Sequence, residues 1–131
     1  MPTIFSKIIN GEIPSYKIAE SEKYFAFLDV FPLAKGHTLV VPKKETDYIF
    51  DLEDEDFIGL QLFSKKIATA IAKAIPCKRI GTAVIGLEVP HAHIHLIPLN
   101  HANDINFSQP KLKLSQEELE SIAKQIRDQL R

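Results

Sequence analysis

The sequence predicts an α+β fold, in which a mostly antiparallel sheet packs against a long central helix and a C-terminal helix. Three observations favour this class. Strand-like runs come early in the chain, a long stretch with helical periodicity follows, and after further strand-like runs the chain ends in a capped amphipathic segment. With 131 residues and no linker rich in glycine, serine or proline, we expect one domain over 1–131, in which residues from about 100 onward form a C-terminal extension.

The first part of the chain predicts one short helix and three strands. The helix covers residues 5–10 and ends at a glycine, which suits the left-handed position after a helix. Two strands follow over residues 16–20 and 24–29, and the unbroken apolar run of the second indicates burial on both faces. A third strand over residues 38–41 should end at Pro42, which cannot donate a hydrogen bond to a neighbouring strand.

The second part predicts two helices and two strands. The long helix covers residues 52–75 with Asp51 as its N-cap, because apolar residues recur there every three or four positions. The members of this stripe are Phe57, Leu60, Phe63, Ile67, Ile71 and Ala74. Strands over residues 79–85 and 91–99 come next, and a capping box at Ser115 begins the C-terminal helix.

Composition and charge exclude several function classes. Sixteen basic and seventeen acidic residues give a net charge of −1, so no overall positive field exists to hold nucleic acid or an anionic membrane surface. No apolar run approaches the ~18 residues of a membrane span, and the first residues do not resemble a secretory signal. Cys77 is the one cysteine, which excludes an internal disulfide and a cysteine zinc cluster. We therefore expect a cytoplasmic protein without nucleic-acid or membrane partners.

Three histidines at alternate positions are the strongest functional signal. On a strand, His91, His93 and His95 would share one face, and the apolar residues between them would anchor the other face in the core. Packing three imidazoles together without a function would require a partner for each of them. The pattern therefore favours a working site, although a structural role and a metal site stay open beside it.

A metal site fits this spacing poorly. Alternate Cα atoms on a strand lie ~6.7 Å apart, so the outer two imidazoles would be ~13 Å apart, too far to share an ion bonded at ~2.0 Å in tetrahedral geometry. Two of the three could still bind an ion together with His37 or His101. The reading we prefer needs no metal and no cofactor.

Nucleophilic catalysis at phosphorus suits the pattern better. A neutral imidazole is a good attacking base near neutral pH, and its attack on phosphorus produces a phosphoramidate that water can cleave. Neighbouring histidines would hold the attacking ring in one tautomer and donate hydrogen bonds to phosphate oxygens as charge develops.

The chain resembles the histidine triad (HIT) family, and in particular its Hint-like branch. The run HAHIHLI over residues 91–97 fits the family signature, in which three histidines alternate with apolar residues. Four earlier segments match in the same order. They are TIFSKII at 3–9, EIP at 12–14, FAFLDV at 25–30 and GHTLVVPKK at 36–44. The resemblance implies a HIT-like fold and a homodimer, in which the long helix and a sheet edge meet the partner.

The resemblance also implies roles for particular residues. His93 matches the family nucleophile that attacks the α-phosphorus of a nucleotide and forms a nucleotidyl-histidine. His91, His95 and His37 match the histidines that orient it, bind phosphate oxygens and help to protonate the leaving group. Asp29 matches the acidic residue that binds the ribose hydroxyls. The apolar positions that would surround a purine are Ile4, Phe5, Ile8, Phe27, Leu28 and Val30. The implied reaction is hydrolysis or transfer on purine nucleoside phosphoramidates or related mononucleotide conjugates, with dinucleoside polyphosphates as a second substrate class.

One segment departs from the family. The connection before the triad is short, and in IGLEVP at residues 85–90 Leu87 and Glu88 replace a glutamine and a hydroxyl residue, whereas Val89 matches. We still place Glu88 and Val89 in the substrate-binding set. A carboxylate beside a phosphate should repel it, so Glu88 would suit a basic leaving group such as the amine of a nucleotidyl-lysine. The same departure favours an alternative, a nucleotide-binding regulatory module with little turnover.

Overall fold

Five strands form one antiparallel sheet in the computed structural model, which describes residues 2–130. In chain order the strands are β1 (Lys17–Glu20), β2 (Tyr24–Leu28), β3 (Thr38–Pro42), β4 (Arg79–Ala83) and β5 (Ile94–Leu99). Their order across the sheet is β1-β2-β3-β5-β4, and every neighbouring pair is antiparallel. The helices are α1 (Ile4–Ile9), α2 (Asp54–Ala74) and α3 (Gln116–Asp128). The predicted α+β class is confirmed.

The helix starts follow local chemistry, with one correction. Ser115 and Glu118 form the expected capping box at the start of α3. The predicted cap of α2 at Asp51 is wrong, because that residue ends a short 3₁₀ turn over Ile49–Asp51. The buried Leu52 then continues in an extended conformation, so α2 begins later, with three acidic residues in its first turn. Their carboxylates favour the positive end of the helix dipole.

The two strands around the triad are shorter than predicted. β4 ends at Ala83, and β5 begins at Ile94 rather than at His91. The backbone of the intervening segment bonds elsewhere, since the Ala92 amide donates to the Thr46 carbonyl at 2.7 Å and not to a neighbouring strand. His91 and His93 therefore precede the strand, and His95 is the triad residue within it. At the end of β3, Pro42 lies inside the strand and opposite Tyr24.

The sheet separates two apolar clusters. One face packs against α2 and α3 and holds the larger core, which includes Leu28, Val40 and Leu96. The other face packs against α1 and holds a smaller cluster of Phe5, Phe25, Phe27, Leu39 and Val41. His95 lies opposite Leu39 in the ladder between β3 and β5, so it belongs to the α1 side of the sheet. The candidate site is built on that side. No helix in the described part of the chain is long and apolar enough to cross a membrane.

Candidate active site

A cavity of about 380 Å³ opens beside the triad. Its volume falls within the range of small-molecule sites. Three of the four predicted catalytic histidines line it, His37, His93 and His95, together with Asp29. The remaining lining residues are Phe31, Ile85, Gly86, Leu87, Glu88, Val89, Phe107 and Lys111.

His91 is fully buried and serves the structure around the cavity rather than its wall. Its Nε2 lies 2.7 Å from the carbonyl oxygen of Pro42, which can only accept, so Nε2 carries the proton. Its Nδ1 lies 2.7 Å from Oγ1 of Thr3 and accepts that hydroxyl proton. Burial lowers the pKa of this imidazole, and both ring nitrogens have partners in the neutral form. His91 is thereby fixed in one tautomer and one orientation.

His93 takes its tautomer from His91. Its Nδ1 lies 2.8 Å from the backbone carbonyl oxygen of His91 and donates to it. The neutral ring then has its lone pair on Nε2. The ring of Phe5 packs edge-on against this imidazole with a centroid distance of 4.9 Å, which restrains the ring further. His93 lines the cavity and is only 8% exposed, so its basic nitrogen serves the cavity rather than bulk solvent.

His37 and His95 form a relay of neutral rings. The Leu33 amide donates to Nδ1 of His37 at 3.0 Å, so the proton of His37 lies on Nε2. That proton is donated over 3.0 Å to Nδ1 of His95, which leaves the N–H of His95 on its Nε2. Burial lowers the pKa of His37 to about 3 and that of His95 to about 4, so both are neutral at pH 7. The N–H on Nε2 of His95 is therefore an uncharged hydrogen-bond donor with a fixed orientation in the cavity wall.

Asp29 follows β2 directly, and a turn fixes its carboxylate. Oδ1 accepts the Phe31 amide at 2.9 Å, and Oδ2 lies 3.6 Å from Nε2 of His37. Because His37 is neutral at pH 7, this second contact is a polar contact and not an ion pair. Burial raises the pKa of Asp29, partly offset by the hydrogen bond from Phe31. The carboxylate therefore has acceptor capacity left at the cavity.

The hydrogen bonds argue against a metal ion at this cluster. One ligand atom each from Asp29, His37 and His95 lies within 4.8 Å of the other two, as a metal site would need. However, the Leu33 amide occupies Nδ1 of His37, which keeps the proton on Nε2, the atom that would have to bind the ion. The other open candidate, His101, is exposed and caps a short 3₁₀ turn away from this cluster.

The predicted binding residues divide into two groups. Asp29, Glu88 and Val89 line the cavity. The apolar residues expected around a purine do not, namely Ile4, Phe5, Ile8, Phe27, Leu28 and Val30. The rings of Phe5 and Phe27 pack edge-on with a centroid distance of 5.6 Å, in the apolar cluster on the α1 side of the sheet. Leu28 lies in the core on the opposite face of the sheet, so its side chain cannot reach the cavity.

Sequence reasoning missed the wall supplied by the C-terminal extension. The Phe107 ring packs against that of His95 with a centroid distance of 4.8 Å, and Lys111 lies over Phe107 with Nζ 5.5 Å from the ring centre. Phe31 and the apolar residues 85–87 complete the wall. No periodicity marks Phe107 or Lys111, since both lie in a loop, so their place could be found only from the fold.

The fold and the site define a class of protein: an α+β domain in which hydrogen-bonded, buried histidines line a cavity of about 380 Å³. Comparison with known proteins gives the family. The HIT domain model matches residues 10–102. The adenosine 5'-monophosphoramidase hnt1 of Schizosaccharomyces pombe is 32% identical over the whole of both chains. The adenosine 5'-monophosphoramidase HNT1 of Saccharomyces cerevisiae is 38% identical, over 72% of this chain and 61% of its own.

Solved structures agree with these relatives. A crystal structure of a Hit-like protein involved in cell-cycle regulation from Bartonella henselae is similar with a TM-score of 0.85 and 33% identity. The match covers 97% of this chain and 95% of that one. The chain therefore belongs to the HIT family, and the resemblance noted in the sequence is confirmed.

Proposed function

We propose that this chain, a hydrolase of the HIT family, cleaves purine nucleoside phosphoramidates or related mononucleotide conjugates through a nucleotidyl-histidine on His93. One observation carries the proposal: the bond from Nδ1 of His93 to the His91 carbonyl leaves the lone pair on Nε2, at the cavity. The phosphoramidase names of the two yeast relatives support the substrate class.

The proposed reaction has two steps. In the first, Nε2 of His93 attacks the α-phosphorus, the bond from phosphorus to the leaving group breaks, and the leaving amine takes up a proton from solvent. In the second, water attacks the phosphorus and gives up a proton to solvent, the P–N bond to His93 breaks, the nucleoside monophosphate is released and the neutral imidazole is regenerated. The His91 carbonyl stabilises the positive charge that the His93 ring carries in the intermediate, and the N–H of His95 can donate to a phosphoryl oxygen as negative charge builds.

Asp29 is the proposed ribose-binding residue. A carboxylate oxygen can accept hydrogen bonds from both ribose hydroxyls, and the turn formed with the Phe31 amide fixes its orientation. Apolar residues on the cavity wall, Phe31, Ile85 and Val89, offer surface for a flat base. In this proposal the predicted purine-surrounding residues Phe5 and Phe27 support the site indirectly, because Phe5 packs against His93 and Phe27 packs against Phe5.

The proposal is tested by trapping the intermediate. After rapid quenching with adenosine phosphoramidate labelled at the α-phosphate, wild-type protein should carry label on His93. His93→Asn should carry none and should lose several orders of magnitude in turnover while it still binds AMP. His101→Asn, which changes an exposed histidine away from the cavity, is the matched control and should react as wild type. Nucleotide binding without label or turnover in the wild type would instead establish the regulatory module.

We also propose that the protein is a homodimer. β4 is an edge strand, and within residues 2–130 no other strand pairs with its second side. Exposed apolar residues lie next to that edge and along α2, namely Val84, Ile85, Ile58 and Leu62. A patch of this kind beside an unpaired strand is typical of a surface that another copy covers. Sedimentation equilibrium should give twice the chain mass, and Leu62→Lys should shift it toward the monomer. The cytoplasmic location stays a prediction from the sequence.

A further inference from the structure

The cavity has an unusual charge balance for a site that binds a phosphate. Two carboxylates line it, those of Asp29 and Glu88. The histidines His37 and His95 are neutral at pH 7 and supply no positive charge. Among the described residues of the cavity wall, Lys111 is the single lysine or arginine. A nucleotide phosphate would therefore meet two like charges and one opposite charge.

Lys111 reaches the cavity on a short segment of the C-terminal extension, residues 106–112, which we name the strap. The Leu112 amide donates to the Pro32 carbonyl at 2.8 Å, which fastens the strap to the loop just after Asp29. At the other end the Phe107 ring packs against the rings of His95 and His37, at centroid distances of 4.8 and 6.2 Å. The strap is thus held against the loop that follows Asp29 and against the histidine relay.

The lysine itself is oriented within the strap. Its Nζ donates to the Phe107 carbonyl at 2.8 Å and lies over the ring of the same residue. An ammonium group has three donors, so further donors stay available for a ligand. Burial is the main cause of the raised pKa of Asp29 and of the lowered pKa values of His37 and His95, and the positive charge of Lys111 adds a smaller downward contribution at each of the three groups. Glu88 lines the same cavity, so an anion bound there would meet two carboxylates and would depend on Lys111 for its one attractive charge among the described wall residues.

We propose that Lys111 is the phosphate-binding cation of this site and that the strap delivers it there. The inference rests on the proposed function, since it assumes that the phosphate of a nucleotide lies at His93. It gives the C-terminal extension a role in substrate binding. It also accounts for the departure at Leu87 and Glu88. These two residues replace the glutamine and the hydroxyl residue, which are neutral donors, and the ammonium group of Lys111 on the strap would bind the phosphate in their place.

Two ligands that differ by the phosphate test this assignment. AMP and adenosine share base and ribose, so calorimetric titration of each ligand isolates the phosphate contribution. In Lys111→Gln we expect AMP to bind about tenfold more weakly and adenosine to bind as it does to wild type. Added salt should weaken AMP binding more steeply in wild type than in this variant. Lys111→Arg should keep most of the AMP affinity.

Lys113→Gln is the matched control, because it removes an exposed lysine two positions away that does not line the cavity. It should bind both ligands as wild type does. Equal AMP affinity in Lys111→Gln and wild type would overturn the inference while leaving phosphoramidate turnover, and hence the proposed function, intact. An equal loss for AMP and adenosine would also overturn it, since Lys111 would then only support the strap. A wild type that binds no AMP would refute both proposals.

Discussion

The two buried histidines of the relay make the fold sensitive to mild acid. The pKa of His37 is lowered to about 3 and that of His95 to about 4, against 6.5 for an exposed histidine, because burial disfavours the charged ring. In the unfolded chain both rings take up protons near pH 6.5, so the unfolded state binds more protons than the folded state below that pH. The stabilisation is complete above about pH 7 and is lost as the pH falls from 6.5 toward 4 for His95 and toward 3 for His37.

The size of the loss follows from these values. Between pH 7 and pH 5 each ring lowers the free energy of unfolding by about 2 kcal/mol, so the pair lowers it by about 4 kcal/mol. That is a large part of the ~5–15 kcal/mol that stabilises a typical domain. His91, whose pKa burial also lowers, adds a loss of the same sign. Asp29 acts in the opposite sense, because its raised pKa favours the folded state as the carboxyl becomes protonated at lower pH.

Urea unfolding followed by circular dichroism at pH 7, 6 and 5 measures this loss. The urea midpoint of the wild type should fall steeply over that range. In His95→Gln, one of the two titrating rings is gone, and an amide oxygen can still accept from His37, so about half of the pH dependence should disappear. His101→Gln removes an exposed histidine and should leave the pH dependence unchanged. A wild-type midpoint that is equal at pH 7 and pH 5 would refute the neutral relay.

Two further predictions concern Thr3, which contacts His91, and Glu88, which lines the cavity. Thr3→Val removes a hydroxyl that accepts the Ser6 amide at the start of α1 and donates to His91. Urea unfolding should therefore show a free energy of unfolding lower by about 1–2 kcal/mol, whereas Thr3→Ser should stay near wild type. Glu88→Ser removes a carboxylate from the cavity wall, so the ratio of kcat/KM for nucleotidyl-lysine to that for a neutral leaving group should fall several-fold. An unchanged ratio would show that the Glu88 carboxylate does not recognise the charge of the leaving group.

Much of the fold could be predicted because local patterns and tertiary packing agree. The stripe on α2 and the capping box of α3 specify helices on their own, and both are confirmed. The cap at Asp51 failed because the buried residues Ile49 and Leu52 hold that segment in a 3₁₀ turn and an extended residue, which a helix pattern does not reveal. The predicted start of β5 at His91 was wrong for a similar reason, because the Ala92 amide donates to the Thr46 carbonyl and the sheet ladder begins only at Ile94.

The candidate site could be predicted only in part. The histidine pattern and the resemblance to the HIT family assigned Asp29, His37, His93, His95 and Glu88 to one site, and the structure brings all five residues to one cavity. Neither the pattern nor the resemblance assigned a role to Phe107 or Lys111. Their approach depends on a bond between the Leu112 amide and the Pro32 carbonyl, which joins parts of the chain 80 positions apart and has no local signature.

The three histidines face one side because the apolar residues between them are buried, and not because all three lie on one regular strand, as the sequence suggested. The three histidines do not lie on one hydrogen-bonded strand, because β5 begins at Ile94. Even so, the apolar residues Ala92, Ile94 and Leu96 are all buried in the core on the α2 side. Burial of every second residue is what turns the imidazoles between them toward α1, whether or not the backbone bonds to a neighbouring strand.

The break before β5 also serves the chemistry. A residue in a regular antiparallel strand directs its carbonyl toward a neighbouring strand, where an amide occupies it. Because the chain at His91 has not yet entered the sheet, its carbonyl is available to Nδ1 of His93, and this bond fixes the tautomer of the proposed nucleophile. A segment that paired fully with β3 from His91 onward would bury the same three rings but would leave the His93 tautomer undetermined. The irregular entry into the strand is therefore part of the site, and the apolar alternation keeps the rings in place across it.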